Sequence, residues 1–175
     1  TFDNLEIELG RIPTYHEFVE ANFTSVKTSE WAVNKGIEWD DEKEECIKVR
    51  VGWWYTSHIT ELLTLSQLSL LFPDSKAWTD PLVDRVFGTD IVFEDSETGC
   101  NFYLHITKHG NSIMSKQDRG YCKSADGKWH KFKRDFSSDL GHMELLYDRQ
   151  TGRTTNYIGS QPVFRKDYLE RKIES

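Results

Sequence analysis

Behind Pro13, the apolar residues Phe18 and Phe23 stand among polar neighbours and predict a short amphipathic helix. Thr14 is its N-cap and Glu17, three residues on, its capping-box partner. A second helical stretch is expected over residues 29–35, stopped by Gly36. Residues 40–45 (DDEKEE) read as a charged turn. Residues 46–51 (CIKVRV) alternate apolar and basic side chains, the period of a half-buried strand. Trp53, Trp54 and Tyr55 then lead to Thr56 and Ser57, an N-cap pair. Residues 58–72 carry Ile59, Leu62, Leu63, Leu65, Leu68, Leu70 and Leu71 around nearly the whole helical circumference, which predicts a central, buried helix stopped by Pro73 and Asp74.

From Gly88 the period changes. Residues 89–93 and 101–108 are rich in β-branched and aromatic side chains and flank the turn-like residues 94–99, so they predict a hairpin. Residues 128–134 follow the turn 125–127, and residues 143–147 and 154–158 flank the turn 148–152; both regions read as hairpin strands. A short helix over 165–173 closes the chain. The fold expected is α+β: a mixed or mostly antiparallel central sheet with a buried helix at about 58–72, N-terminal helices and a short C-terminal helix. A single domain over 1–175 is expected, with residues 1–45 as a helical subregion and 46–175 as an α/β core with C-terminal hairpins.

Composition narrows the class. With 175 residues, 37% of them hydrophobic, the chain can bury a core without disulfides or a structural metal. Cys46, Cys100 and Cys122 form an odd set without a CxxC pair, which suggests neither a disulfide framework nor a zinc ribbon and places the chain in a reducing, intracellular (cytoplasmic) compartment. No apolar run approaches membrane-spanning length and the N-terminus lacks a signal-peptide pattern, so no membrane partner is expected. The chain opens on Thr1 without an initiator Met, and upstream residues are expected.

Charge is unevenly placed. Residues 1–100 hold 8 Lys+Arg against 20 Asp+Glu, whereas residues 101–175 hold 14 against 9. Phosphates are met by local patches rather than by whole-chain charge, so the basic, aromatic C-terminal half points to a nucleic-acid partner. The same Lys and Arg would also serve to solvate a sheet face. No helix-turn-helix, P-loop, GxSxG, HExxH or paired-Cys pattern is present, which gives no support for an ATPase, a serine hydrolase or a zinc peptidase.

Glu61 is the conspicuous carboxylate of the long helix: costly if buried alone, ordinary if it simply serves the helix's first turn. Asp90 opens one strand, and Ile106-Thr107-Lys108 ends the next. This arrangement over about residues 57–109 resembles the PD-(D/E)XK (restriction-endonuclease-like) nuclease superfamily. There, an acid at the start of one strand and an acid-x-Lys tripeptide on the next bind a divalent metal, often with a further carboxylate from the leading helix. The resemblance implies Glu61 and Asp90 as metal ligands, Mg²⁺ as cofactor, and Lys108 as the group that positions or deprotonates the attacking water. Ile106 stands where the family's second acid would be: either Glu61 supplies the missing carboxylate from the helix, or the chain is an inactive relative, or the match is accidental.

Strand alternation puts Leu104, Ile106 and Lys108 on one face and His105, Thr107 and His109 on the other. With His105 in the cleft, a metal-free reaction using it as general base becomes an alternative; with His105 inside, it is a strand histidine hydrogen-bonded within the fold. Lys131, Lys133 and Arg134 are the candidate phosphate contacts, and Trp129 either stacks on a base or fills the core. The function expected is a metal-dependent nuclease on DNA ahead of RNA. Two alternatives remain open: a non-catalytic nucleic-acid-binding module, and a protein-interaction or regulatory domain using the acidic half and its tryptophans.

Overall fold

The computed structural model describes residues 2–108, 119–123, 129–133, 141–148, 152–159 and 161–174; for Phe2, Asp3, Arg85, Val86, Lys108 and all of 119–123 and 129–133 it describes the backbone alone. The chain divides into two compact units, Thr1–Ile59 and Thr60–Ser175.

The first unit is helical: α1 (Phe2–Leu9), α2 (Tyr15–Thr28), α3 (Glu30–Asn34) and the first part of α4 (Asp41–Leu71). The capping box at α2 is present, with Thr14 Oγ1 accepting the Glu17 N–H at 3.3 Å and Glu17 accepting the Thr14 N–H at 2.8 Å. Ser29 caps α3 in the same way by accepting the Ala32 N–H. Phe18, Val19, Phe23, Val51 and Tyr55 fill the interior, and Tyr55 donates its hydroxyl to the Pro13 carbonyl at 3.1 Å. Gly52 lets α2 come close, because a Cβ there would lie 2.3 Å from the Tyr15 hydroxyl.

The strand expected at 46–51 and the turn expected at 40–45 are both helix, the first turns of α4. Asp40 accepts the Lys43 N–H at 2.9 Å as an N-cap does, and Asp41, Glu42 and Glu44 follow in the first turn, where the helix dipole favours them. Val51, Tyr55 and Ile59 are buried at four-residue spacing, the helical period that the short apolar-basic alternation hid. Lys48 and Arg50, taken for one strand face, go separate ways: Lys48 pairs with Glu20 at 2.9 Å and Arg50 lies over the Trp53 ring. The helix therefore begins at Asp41, with Thr56 and Ser57 inside it. It is also less enclosed than expected: Leu68 is fully buried, but Leu70 is 82% exposed.

The second unit is α+β. Its four-stranded sheet has the order β1 (Lys76–Trp78), β2 (Ile91–Glu94), β3 (Asn101–Lys108), β6 (His142–Tyr147). The first three pair antiparallel, and β6 runs parallel to β3 with Leu104 beside Met143 and His105 beside Glu144. The sheet is thus mixed. Gly141 admits the chain to β6, with φ of 76° and a Cβ position only 2.6 Å from the Asn101 carbonyl oxygen. Two hairpins stand apart from the sheet's ladder: β4 (Arg119–Lys123) with β5 (Trp129–Lys133), and β7 (Thr155–Ile158) with β8 (Gln161–Phe164).

The hairpins expected at 89–108 and around 128–134 are present. That expected between 143–147 and 154–158 is not, because β6 pairs with β3 and β7 pairs with β8. Turn residues are a local signal, whereas a parallel pairing across about forty residues leaves none. The C-terminal helix is α6 (Lys166–Ile173). It packs Tyr168, Leu169 and Ile173 with Leu68 of α4 against Leu104 and Leu145 of the sheet. Each such buried side chain contributes about 1.5–3 kcal/mol. Gln67 Nε2 donates to the Phe164 carbonyl at 2.7 Å and ties α4 to β8. Among the described residues, no helix is long and apolar enough to cross a membrane.

Candidate functional site

The end of the β2–β3 ladder is prepared by α5 (Pro81–Phe87). Asp80 caps it, its Oδ1 accepting the Leu82 and Val83 N–H groups, and Pro81 sits where the missing N–H costs nothing. Gly88 ends it in the left-handed region with φ of 66°, its N–H donating to the Asp84 carbonyl. Thr89, buried, then delivers the chain to Asp90.

Asp90 closes the ladder with both backbone and side chain. Its N–H donates to the Leu104 carbonyl at 3.0 Å. Its Oδ2 accepts the Ile106 N–H at 2.5 Å, in place of the carbonyl that a further strand residue would have offered. Although the residue keeps some surface, the carboxyl is enclosed by protein. Desolvation pushes it well above the usual carboxylate range; the charges of Glu61 and Asp84 push the same way, and the Ile106 N–H opposes them. Glu61 is half-buried on α4, two turns before Leu68, and its charge is one of the causes that raise Asp90.

His105 lies on the opposite face of β3 from Leu104 and is 0% exposed. Its Nδ1 lies 2.9 Å from the Gly88 carbonyl oxygen and its Nε2 lies 2.9 Å from His142 Nδ1. A carbonyl only accepts, so Nδ1 of His105 carries the proton; in the neutral pair Nε2 accepts and His142 Nδ1 donates. Tyr103 and Phe87 pack on His142, with ring centroids 5.1 and 5.9 Å away. Both ring nitrogens of His105 are engaged inside the protein, which is the arrangement of a structural histidine rather than of a general base facing a cleft.

The remaining candidates are placed by backbone. Lys108 is the last residue of β3, across from Tyr147 of β6, and its side chain lies outside the described part. Trp129, Lys131 and Lys133 are β5 positions opposite Lys123, Tyr121 and Arg119, again without described side chains. Arg134 and His109 lie outside the described residues. Ile106 packs against the core cluster, so its position offers the site an amide and no ligand. Sequence reading missed Asp84, Gly88 and His142. Only the Asp-Pro start and Gly stop of α5 could have pointed to the first two, and nothing in the linear chain pairs His105 with a histidine 37 residues on.

Among the described residues no group of three or more His, Cys, Asp or Glu converges tightly enough to hold a metal. The chemistry of the donors alone is that of a hard cation: Mg²⁺ keeps several waters and takes one or two carboxylates, as Glu61 and Asp90 would offer, together with substrate phosphates. A cleft of about 490 Å³ lies at the other end of β2 and β3, lined in part by Phe72, Asp95, Glu97 and Phe102, and takes in none of these groups. Compared with protein-family models, curated proteins and solved structures, the chain matches none.

Proposed function

We propose that this chain is a divalent-metal-dependent nuclease, acting on DNA ahead of RNA, in a reducing intracellular compartment. The observation that carries the reading is the action of Glu61 on Asp90. The charge of a helix carboxylate acts on a strand carboxylate that the protein has stripped of water, and a divalent cation bound by Asp90 would relieve both the repulsion and the desolvation. Helix α4 precedes the adjacent antiparallel strands β2 and β3, with β1 and α5 between helix and strands, and a leading helix followed by two such strands is what the nuclease-like arrangement uses.

In this reading Asp90 and Glu61 hold Mg²⁺, which supplies charge neutralisation at the scissile phosphate and a lowered pKa for bound water. Asp90 has Oδ2 committed to Ile106 and offers Oδ1. Lys108, two residues beyond Ile106, orients the attacking water and balances the charge that develops. Lys131, Lys133 and Arg134 contact backbone phosphates and Trp129 stacks on a base.

A second reading, a nucleic-acid-binding module without catalysis, is favoured by Ile106, whose packing against the core cluster puts an apolar side chain where a ligand is expected. For a protein partner, the exposed Trp31, Trp53 and Trp54 of the N-terminal unit are the natural contact residues.

Incubation with supercoiled plasmid and with single-stranded RNA in Mg²⁺, with and without EDTA, separates the readings. Cleavage that needs Mg²⁺ and is abolished by Asp90→Ala and by Lys108→Ala supports the nuclease. Salt-sensitive binding without cleavage selects the module. Neither cleavage nor binding removes the nucleic-acid partner altogether.

A further inference from the structure

Resting on the carboxylate-pair reading, we infer that His105 is a positioning residue for Asp90: it fixes the Gly88–Thr89 approach so that the Asp90 carboxyl is presented in one orientation.

Where the β2–β3 ladder ends, the strands exchange side chains for backbone in both directions. Asp90 of the first strand accepts the Ile106 N–H of the second. One step beyond the Ile91–Leu104 pair, His105 of the second strand reaches back to the Gly88 carbonyl just before the first. Neither bond belongs to the regular ladder. Together with the Asp90 N–H bond to the Leu104 carbonyl, they clamp the three residues 88–90 to β3 at the end of the ladder.

Gly88 is held at both of its polar backbone groups. Its N–H goes to the Asp84 carbonyl at 2.6 Å and its carbonyl to His105 Nδ1 at 2.9 Å. It adopts φ of 66°, a conformation from which a free glycine could leave easily. Thr89 is buried between Gly88 and Asp90, so a backbone rotation at Gly88 would carry Asp90 with it. The imidazole bond opposes that rotation together with the Gly88 N–H bond to Asp84 and the Asp90 N–H bond to Leu104. With both rings neutral, the Gly88 carbonyl requires the proton on His105 Nδ1, so His105 Nε2 accepts from His142 Nδ1–H at 2.9 Å. His105 thus stands to Asp90 as outer partners stand to metal ligands, whose loss typically weakens metal affinity 10–100-fold.

The test uses the full chain in solution NMR with His105→Asn and His105→Leu. Asn can place a side-chain N–H near the Nδ1 position, whereas Leu fills the space without a donor. Amide exchange at Ile106 reports whether the Asp90 carboxylate stays in place, and Mn²⁺ titration reports whether the site still takes a cation. The expected result for His105→Leu is loss of Ile106 amide protection and a Mn²⁺ affinity weakened by at least about tenfold, with Leu104 and Leu145 amides still protected. His105→Asn should restore both. A folded His105→Leu protein with wild-type Ile106 protection overturns the inference. Should His105→Leu fail to fold, the ¹⁵N spectrum of the wild-type ring decides: the Nδ1–H tautomer is required, and an Nε2–H tautomer overturns the inference. A wild-type chain that binds no Mn²⁺ removes the metal reading, while the Ile106 amide still decides whether His105 positions Asp90.

Discussion

Ile106 donates its backbone N–H to Asp90 Oδ2 at 2.5 Å, while its side chain packs against the cluster around Leu104 and Leu145. One residue thereby serves both layers of the second unit, the amide holding the acid and the side chain holding the core. An acid at position 106 would put a charge on the core face, which carries a desolvation penalty of several kcal/mol unless paired. The carboxylates whose charges act on Asp90 are Glu61 of α4 and Asp84 of α5.

The raised pKa of Asp90 makes stability depend on pH. The folded state binds the Asp90 proton more tightly than the unfolded state, whose carboxyl titrates near ~3.9. Its stabilising contribution is therefore fully present below that value and is lost as pH rises through the folded pKa. Asp90→Asn keeps an oxygen for the Ile106 N–H and removes the charge. It should melt several degrees above the wild type at neutral pH, with the gap closing as pH falls toward 4, in thermal unfolding followed by circular dichroism. A variant that melts at or below the wild type at neutral pH contradicts the buried, repelled carboxylate.

The parts of this arrangement that were legible in the sequence are those written in short-range chemistry. Thr14 with Glu17, the Gly36 stop and the β2–β3 hairpin each depend on residues a few positions apart, and each is present. Glu61 and Asp90 could be named because carboxylates on apolar elements are conspicuous. What failed was decided by partners far away. Residues 46–51 carry an alternation too short to reject a helix, and the buried series Val51, Tyr55, Ile59 becomes visible only over three turns. The pairing of β3 with β6 joins residues such as Leu104 and Met143, the bond between His105 and His142 spans 37 positions, and neither leaves a local trace.

The α2 cap has its own acid limit. Hydrogen bonds from Arg11 and from Thr14 hold the Glu17 carboxyl down at about 2. A depressed carboxylate contributes stability above its unfolded pKa and loses it as pH falls toward the folded value, so the start of α2 should weaken progressively as pH falls from the ordinary Glu range of about 4.3 toward about 2. Thr14→Ala removes the hydroxyl that accepts the Glu17 N–H and should lower stability by about 1 kcal/mol in urea denaturation. Faster amide exchange at Glu17 should accompany it; unchanged exchange there would speak against the capping box.

Position along α4 should separate packing from propensity. Leu68 is fully buried against the sheet and Leu70 is exposed. Leu68→Ala should lower stability by about 2–5 kcal/mol and Leu70→Ala by no more than about 0.5 kcal/mol. Equal losses in chemical denaturation would mean that the helix presents a different face to the core.

The proposal that Glu61 and Asp90 share a cation is tested most directly by Mn²⁺ titration of the wild type, Glu61→Gln and Asp90→Asn, followed by calorimetry at pH 6 and pH 8. The expected result is one site in the wild type, tighter at pH 8 because the cation competes with the Asp90 proton, and weakened at least about tenfold in each variant. A wild type that takes no cation, or variants that bind as the wild type does, would contradict a common site for the two carboxylates.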